Sequence, residues 1–388
     1  MLNNSPSPSP SPDAAGAPGE AAPADQGGRR ELEAILLVGG QGTRLRPLTI
    51  ATPKPLLPTA GVPFLAHQLA KAAASGVTRV LLATFYRAQM FADYLGDGSS
   101  FGLQISYIQE EAPLDTGGAI RNASSGLRSG PDEPIVVLNG DVLSGHDLAG
   151  QVAAHQDTGA AVTLHLVEVG DPARFGCVPT DAGGRVTAFL EKTPQPVTNK
   201  INAGCYVFRR GVIDDWIPPG LRVSVERATF PGLIAGGEQV LGHVDNAYWL
   251  DVGTPEAFVC GSRDLVLGEL PSPALPGPCG EVLVLPGGLV APDAKVGGGT
   301  VVGAGCQVGP AAQVDGSVLF DGAVIGEGAV VSSSAVGRAA RIGDGAVLDV
   351  AVIGDGARIG PGNELARGLR VWPDVEIGPT AIRFSTDA

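Results

Sequence analysis

The chain has 388 residues, which is enough for two domains, each with its own apolar core. Its 40 acidic and 26 basic residues give a formal net charge of −14, which argues against a nucleic-acid partner because phosphate backbones are bound by basic surfaces. No apolar run approaches the roughly 20 residues of a membrane-spanning helix, so we expect no membrane partner.

The first 30 residues are rich in proline, serine, alanine and glycine, and we expect this segment to be a disordered tail. It lacks the apolar core of a signal peptide. The five cysteines are odd in number and show neither CxxC nor zinc-site spacing. These features together predict a reduced, cytoplasmic setting.

Residues 31–265 alternate between strand-like and helix-like segments. The runs EAILLV, RVLLATF, QISYIQ and PIVVLNGD predict strands, and PFLAHQLAKAAASG and DLAGQVAAHQDTG predict helices. Such alternation predicts an α/β domain with a Rossmann-like, mostly parallel sheet covered by helices on both faces. Ligands bind such sheets at the carboxyl ends of the strands, so the loops that follow these strands are expected to meet at one edge.

The loop after the first strand, VGGQGTRLRPLTIATPKPLLP, concentrates glycines and cations. Gly39, Gly40 and Gly42 let backbone N–H groups approach an anion, although their spacing fits neither a P-loop nor a dinucleotide-binding turn. Arg44 and Lys54 follow on a segment stiffened by prolines, and such charges are costly to gather without an anionic ligand. We predict a phosphate-binding loop; the alternative is a glycine-rich surface turn without a ligand.

A Pro/Gly-rich stretch at residues 266–289 predicts an interdomain linker. Beyond it, apolar residues recur every six residues, occasionally every five, from Val290 to Ile377, and glycine often follows them. This is the hexapeptide pattern of a parallel β-helix, in which the repeated apolar residue stacks inside each coil. We therefore predict a β-helix over residues 290–388 that serves assembly or regulation, in a chain that forms a homo-oligomer.

GGQGTRLRPLT followed by PKPLLP resembles the signature of the sugar-1-phosphate nucleotidyltransferases, and the resemblance extends over residues 33–378. It implies that the loop wraps a nucleoside triphosphate, that Arg44 holds the leaving pyrophosphate, that Lys54 holds phosphates near the reacting centre, and that the β-helix is left-handed. The nucleotide-binding residues implied in this way are Leu37, Gly39, Gly40, Gly42 and Thr43 in the loop, and Gln109, Gly117 and Gly118 in QEEAPLDTGGAI. This second segment resembles the base-binding loop of the family, in which many relatives carry glycine at the place of Asp115 and alanine at the place of Gly117.

Two carboxylates match the metal-binding positions of that family, Asp141 in VLNGDVL and Asp251 in YWLDVGTP. Each of them alone would serve equally well to cap a turn or a helix. Because Mg²⁺ prefers one or two carboxylates together with phosphate oxygens and water, the resemblance implies Mg²⁺ as the cofactor.

FLEKTPQPVTNKINAG resembles the sugar-pocket segment of the same family. By that resemblance Lys192 bridges the sugar phosphate and the α-phosphate, and Glu191 and Asn202 bind sugar hydroxyls. Gly176, in RFGCV, would let the sugar approach the backbone. Thr193 is an insertion relative to the family pattern.

The members that the chain resembles most transfer a nucleotidyl group from GTP to mannose-1-phosphate, which implies GDP-mannose and pyrophosphate as products. The sugar phosphate is already anionic near neutral pH, since its second pKa is about 6, so no general base is required. The alternatives are a uridylyl- or thymidylyltransferase for another hexose-1-phosphate and a guanylyltransferase for a heptose phosphate. A hexapeptide-repeat acyltransferase is disfavoured because no histidine follows His243, and a non-catalytic regulatory subunit would be expected to have lost phosphate or metal ligands.

Overall fold

The computed structural model describes residues 31–85, 87–190, 195–277 and 279–383. The strands of the N-terminal half are β1 (Leu32–Leu37), β2 (Pro58–Thr59), β3 (Val62–Pro63), β4 (Val77–Thr84), β5 (Gln104–Gln109), β6 (Pro134–Asn139), β7 (Val142–Ser144), β8 (Val162–Glu168), β9 (Lys200–Arg209), β10 (Val240–Val244) and β11 (Trp249–Asp251). Its helices are α1 (Phe64–Ala74), α2 (Ala88–Leu95), α3 (Asp115–Ala123), α4 (Leu148–Thr158), α5 (Arg210–Trp216), α6 (Phe230–Ala235) and α7 (Pro255–Leu267).

Seven of these strands form one sheet in the order β10-β8-β9-β6-β1-β4-β5. All neighbours run parallel except β9, which is antiparallel to both β6 and β8. The predicted mostly parallel α/β sheet is therefore confirmed. No helix among the described residues has the length and apolar character to cross a membrane.

The sheet is buried on both faces, as the apolar run AILL at residues 34–37 of β1 requires. Ile35 faces a cluster that includes side chains of α3, α5 and α6. Its neighbours Ala34 and Leu36 face the opposite cluster, which includes side chains of α1, α2 and α4. This alternation fixes the sheet between two helical layers and leaves its strand ends as the accessible edge.

The strands of the C-terminal half are two or three residues long and form three parallel stacks. The first stack is β12 (Val282–Val284), β15 (Thr300–Val302), β18 (Val318–Leu319), β21 (Ala335–Val336), β24 (Val352–Ile353) and β27 (Arg370–Val371). The second is β13 (Leu289–Val290), β16 (Gln307–Val308), β19 (Val324–Ile325), β22 (Arg341–Ile342), β25 (Arg358–Ile359) and β28 (Glu376–Ile377). The third is β14 (Lys295–Gly297), β17 (Gln313–Asp315), β20 (Val330–Ser332), β23 (Val347–Asp349) and β26 (Glu364–Ala366).

This arrangement is a left-handed parallel β-helix, and each apolar repeat position from Val290 to Ile377 lies on a strand. One coil takes 18 residues at the two ends of the β-helix, where Val284 pairs with Val302 and Ile353 with Val371, and 17 residues between them, where the Ala304 N–H donates to the Asp321 carboxylate one coil later. The occasional step of five in the sequence period is explained by the 17-residue coils. The first strand, β12, lies inside the segment predicted as a linker, and the division of the chain at residues 30, 265 and 289 remains our proposal.

Candidate active site

A cavity of about 460 Å³ lies at the carboxyl ends of β1 and β6. Leu37 and Asn139 are paired in register at the ends of these parallel strands, so the two loops that follow start side by side. The glycine-rich loop lines one wall of the cavity through Leu37, Gly39, Gly40, Gly42 and Thr43. The structure therefore brings together all five residues that the sequence predicted for this wall.

The glycine-rich loop is held by its own side chains. Gly42 has a φ of 60°, and a Cβ there would meet Cβ of Lys54 at 3.0 Å, so this turn requires glycine. The Thr49 hydroxyl donates a hydrogen bond to the Gly42 carbonyl oxygen at 2.8 Å. Leu45 and Leu48 are buried beneath the loop, which leaves its backbone facing the cavity.

Lys54 is buried at the floor of the cavity, and its Nζ lies 3.1 Å from Oδ2 of Asp141. The Lys54 side chain is 10% exposed, whereas that of Asp141 is 42% exposed. The carboxylate therefore keeps an open face toward the cavity while it neutralises the buried ammonium. This pair places one cation and one anion of the predicted site in direct contact.

Asp251 is brought next to Asp141 by a short antiparallel pair, in which β11 Asp251 lies opposite β7 Val142. The backbone N–H of Val252 also donates to the Asp141 carbonyl oxygen at 3.0 Å. These contacts join the backbones of the two residues, and Asp251 itself does not line the 460 Å³ cavity. Two carboxylates would suit a hard divalent cation whose other ligands are phosphate oxygens and water. Among the described residues no cluster of three or more His, Cys, Asp or Glu side chains is placed to hold a metal, so substrate oxygens would have to complete such a site.

Arg44 lies at the mouth of the same cavity and is exposed. Its guanidinium packs against the backbone of Gly253, where a Cβ would come within 3.0 Å of Nη2. A side chain at position 253 would therefore displace the Arg44 guanidinium slightly, and the glycine of the WLDVGTP segment leaves room for it. Sequence reasoning had singled out Asp251 in this motif but not its glycine.

The segment predicted to bind the base is only partly in the cavity. Gln109 is exposed at the end of β5 and does not line the cavity, whereas the next residue, Glu110, does. Gly117 and Gly118 are buried, and both of their backbone N–H groups donate to the carbonyl oxygen of Val223. The structure does not bring these three predicted residues to the cavity, and their nucleotide contacts stay a prediction.

Glu110 is a buried carboxyl that the sequence analysis missed. Its Oε2 accepts a hydrogen bond from the backbone N–H of Leu114 at 3.0 Å, which ties down the loop before α3. Burial raises the pKa of Glu110 above its ordinary value, although the Leu114 hydrogen bond opposes that shift. The signal available in the sequence was its place directly after a strand end.

Asp115 opens α3 with a φ of 62°, and its Oδ1 accepts a hydrogen bond from the Thr116 N–H at 3.0 Å. Glycine adopts this backbone without strain, so the glycine of many relatives and this aspartate suit the same turn. The Asp115 side chain therefore binds the backbone of the next residue at the start of the helix, and its carboxylate also lies near Arg222 at the edge of the cavity.

Two of the predicted sugar-binding residues are described by the structure, Asn202 on β9 and Gly176 in the loop after β8. Asn202 donates from Nδ2 to the Tyr206 hydroxyl at 2.9 Å and accepts at Oδ1 from the Gly204 N–H. Gly176 is buried, and its N–H donates to the Pro172 carbonyl oxygen. Neither residue lines the 460 Å³ cavity. Glu191 and Lys192 fall outside the described residues.

Glu226 links the base-binding segment to β9 and was also missed. Its Oε2 accepts hydrogen bonds from the hydroxyls of Thr116 at 2.8 Å and Ser224 at 2.6 Å. Its Oε1 lies 3.5 Å from the Tyr206 hydroxyl, which in turn accepts from Asn202. The contacts join segments 110 residues apart, so no local pattern pointed to them.

A second cavity of about 230 Å³ lies behind the Asn139–Asp141 turn. Lys71 donates there to the Ser144 carbonyl oxygen at 2.7 Å, and its Nζ lies 2.9 Å from Nδ1 of His146. Burial lowers the pKa of Lys71 to about 8. Burial also lowers the pKa of His146, whose ring stacks on that of His165 at 3.9 Å.

Comparison with known proteins agrees with this geometry. Residues 33–266 match the family model described as nucleotidyl transferase, and residues 279–382 match the GMPPB C-terminal domain. A mannose-1-phosphate guanylyltransferase from Mycobacterium tuberculosis is 57% identical over 265 residues, covering 68% of this chain and 73% of the relative. A mannose-1-phosphate guanylyltransferase catalytic subunit beta from Drosophila pseudoobscura is 38% identical over 262 residues, covering 65% of this chain and 69% of the relative.

Among solved structures, HddC from Yersinia pseudotuberculosis complexed with GMP-PN is similar, with a TM-score of 0.52 and 29% identity. The match covers 60% of this chain and 99% of HddC. The nucleotidyl transferase match covers more than half of this chain, including the glycine-rich loop, Lys54, Asp141 and Asp251. The chain belongs to the nucleotidyl transferase family.

Proposed function

We propose that this chain transfers a guanylyl group from GTP to mannose-1-phosphate, giving GDP-mannose and pyrophosphate. The observation that carries nucleotidyl transfer is the contact of Lys54 with Asp141, beside Asp251, under a glycine-rich loop. The substrate pair rests on the printed names of the relatives, of which one is 57% identical, and the structure complexed with GMP-PN supports a guanosine nucleotide.

The reaction is a displacement at the α-phosphorus. An oxygen of the sugar phosphate forms the new bond to the α-phosphorus, the bond to the bridging oxygen of the β-phosphate breaks, and the electron pair leaves with pyrophosphate. Because the attacking phosphate is already anionic, the protein has to position two anions and offset their charge. A histidine or carboxylate base is not needed for this step.

Separate elements of the chain position the two anions and offset their charge. Gly39, Gly40 and Gly42 line the cavity, and their backbone N–H groups would bind the triphosphate. Lys54 provides positive charge at the floor, and Arg44 at the mouth holds the departing pyrophosphate. These roles are those that the sequence resemblance implied, and Lys192 keeps its proposed role as the bridge between the two phosphates.

Asp141 and Asp251 would hold the divalent cation, for which we propose Mg²⁺. Their two carboxylates, with one open face on Asp141, fit such an ion. When bound, it would offset negative charge on the reacting phosphates. The protein's part is to hold both carboxylates in place through the β7–β11 pair, which does not depend on any single side chain.

We further propose a cytoplasmic homo-oligomer that binds neither nucleic acid nor membrane. All five cysteines lie within the described residues and are free thiols, which suits a reducing compartment. The acidic net charge opposes binding to a phosphate backbone.

A substrate panel tests the proposal. Pyrophosphate release is measured for GTP, ATP, UTP and dTTP, each with mannose-, glucose- and a heptose-1-phosphate. We expect the highest kcat/KM for GTP with mannose-1-phosphate, because a site that hydrogen-bonds one base can reject others by roughly 10⁴. A preference for UTP or dTTP would overturn the guanylyl assignment, and a preference for the heptose phosphate would overturn the sugar assignment.

A further inference from the structure

The β-helix presents one outward stripe of side chains to the N-terminal half of the chain. Paired in register along its first stack, the members of the stripe are Leu283, Val301, Val318, Ala335, Val352 and Arg370. The apolar members pack in one cluster with Leu45 and Leu48 of the glycine-rich loop and with Phe258 of α7. The outer face of the β-helix thus forms part of the support beneath the loop.

The sixth position of the stripe is an arginine where the others are apolar. Arg370 donates from Nη1 to the carbonyl oxygen of Arg44 at 2.8 Å and to that of Arg46 at 3.0 Å. A second arginine, Arg338, donates to the hydroxyl of Thr52 at 3.3 Å near the other end of the loop. The β-helix therefore contacts the loop by two arginines as well as by apolar packing.

Arg370 contacts the backbone of Arg44, and the side chain of Arg44 lines the cavity. On one side of the loop, the Arg44 guanidinium packs on Gly253. On the other side, the Arg44 carbonyl oxygen accepts from Arg370. A charged donor forms stronger hydrogen bonds than a neutral one, and two acceptors on one nitrogen fix both distance and direction. The backbone of Arg44 is held from outside the cavity.

We propose that Arg370 is a positioning residue for nucleotide binding. By holding the carbonyl groups of Arg44 and Arg46, it keeps the Arg44 guanidinium at the place where the β- and γ-phosphates lie. This inference rests on the proposed function for the role of Arg44. It assigns to the β-helix a direct part in the nucleotide site, in addition to assembly or regulation.

The test compares Arg370→Met, which keeps the length of the side chain but removes its donors, with Arg358→Met. Arg358 is also exposed on the β-helix but belongs to the second stack, so it controls for the loss of one surface charge. For each variant the dissociation constants of GTP and of inorganic pyrophosphate are measured directly, together with KM for both substrates, kcat and the melting temperature. Arg370→Lys is the conservative variant.

We expect Arg370→Met to weaken GTP and pyrophosphate binding by about fivefold or more, the loss typical of a charged hydrogen bond at a partly exposed site. KM for mannose-1-phosphate and the melting temperature should match those of the Arg358→Met control. Arg370→Lys should recover part of the lost affinity, because it restores one donor and the charge. Unchanged GTP and pyrophosphate affinity in Arg370→Met would overturn the inference.

A merely structural role gives a different pattern, in which the melting temperature falls and both substrates weaken together; that result would also overturn the inference. If Arg370→Met does not fold, the test is made with Arg370→Lys. The proposal is then contradicted if Arg370→Lys has a normal KM for mannose-1-phosphate and binds GTP as tightly as Arg358→Met does. Should the wild type prefer another nucleotide, the guanylyl assignment fails. Arg370→Met and Arg358→Met are then compared with that nucleotide, so failure of the guanylyl assignment can be told apart from failure of the inference about Arg370.

Discussion

Lys54 and Asp141, separated by 87 residues in the chain, form an ion pair with 3.1 Å between Nζ and Oδ2. The buried ammonium and the half-open carboxylate are held on neighbouring loops at the ends of β1 and β6. Under the proposed function, substitution of either member would change the charge beside the reacting phosphates, at the wall of the cavity and outside the apolar core. Kinetic measurements on these residues therefore report on chemistry more than on folding.

Asp141→Asn and Asp251→Asn should each lower kcat by at least roughly a hundredfold, because each removes one of the two carboxylates that would hold the cation. The melting temperature should change little, since the strand pairing of β7 and β11 is made by the backbone. Asp157→Asn, at an exposed position on α4, is the matched control. Near-normal turnover in either site variant would remove that residue from the active site.

Glu110→Ala should weaken GTP binding by about tenfold, because the loop before α3 loses the carboxylate that accepts from Leu114. Glu111→Ala is a close control, since Glu111 is the adjacent residue and is exposed. Both variants are compared by titration calorimetry with GTP. Equal affinities in the two variants would show that Glu110 does not support the base-binding segment.

Val318→Asp should lower the melting temperature by about 5 °C or more, because it places a charge in the apolar contact between the β-helix and the N-terminal half. Val318 is 2% exposed, whereas Val347, on the third stack, is 36% exposed. Val347→Asp is therefore the control and should leave the melting temperature nearly unchanged. Similar melting temperatures for the two variants would contradict an interface held by the stripe.

Buried histidines should make the protein less stable in mild acid. Burial, reinforced by the charge of Arg209, lowers the pKa of His155 to about 4, and burial lowers that of His165 to about 4. An unfolded histidine has a pKa of 6.5, so between pH 4 and 6.5 the unfolded chain binds more protons than the folded chain. The free energy of unfolding should therefore fall as the pH drops from 6.5 toward 4.

Urea unfolding at several pH values across this window measures that slope. His155→Gln removes one of the titrating groups while keeping a side chain that can hydrogen-bond to Thr163, which His155 contacts at 2.9 Å. The slope should be smaller in this variant than in the wild type. An identical slope would mean that His155 does not contribute to the acid sensitivity.

The sequence was most informative where a pattern reports burial. The strands β1, β4, β5 and β6 and the repeat positions of the β-helix were predicted within a few residues, because an apolar residue that recurs with a fixed period must face a core. The antiparallel direction of β9 was not predicted, because strand direction depends on long connections and not on local periodicity.

The site was predicted less completely, for a similar reason. Family resemblance identified the glycine-rich loop, and the structure places all of its predicted residues at the cavity. The resemblance also predicted Gly117 and Gly118 as nucleotide-binding residues, but their N–H groups donate to Val223. A motif identifies a loop, but it does not tell which atoms of the loop face the ligand. Arg370 and Glu226 act through contacts made across the fold, which no short motif records.

The contact between Arg370 and Arg44 joins positions 326 residues apart. A ribosome that adds about 5–20 residues per second needs on the order of tens of seconds to make the second partner after the first. During that interval the sheet can form while the loop still lacks its outer support. If Arg370 positions Arg44 as proposed, a nascent chain would acquire its full affinity for nucleotide only when the last coils of the β-helix have emerged from the ribosome.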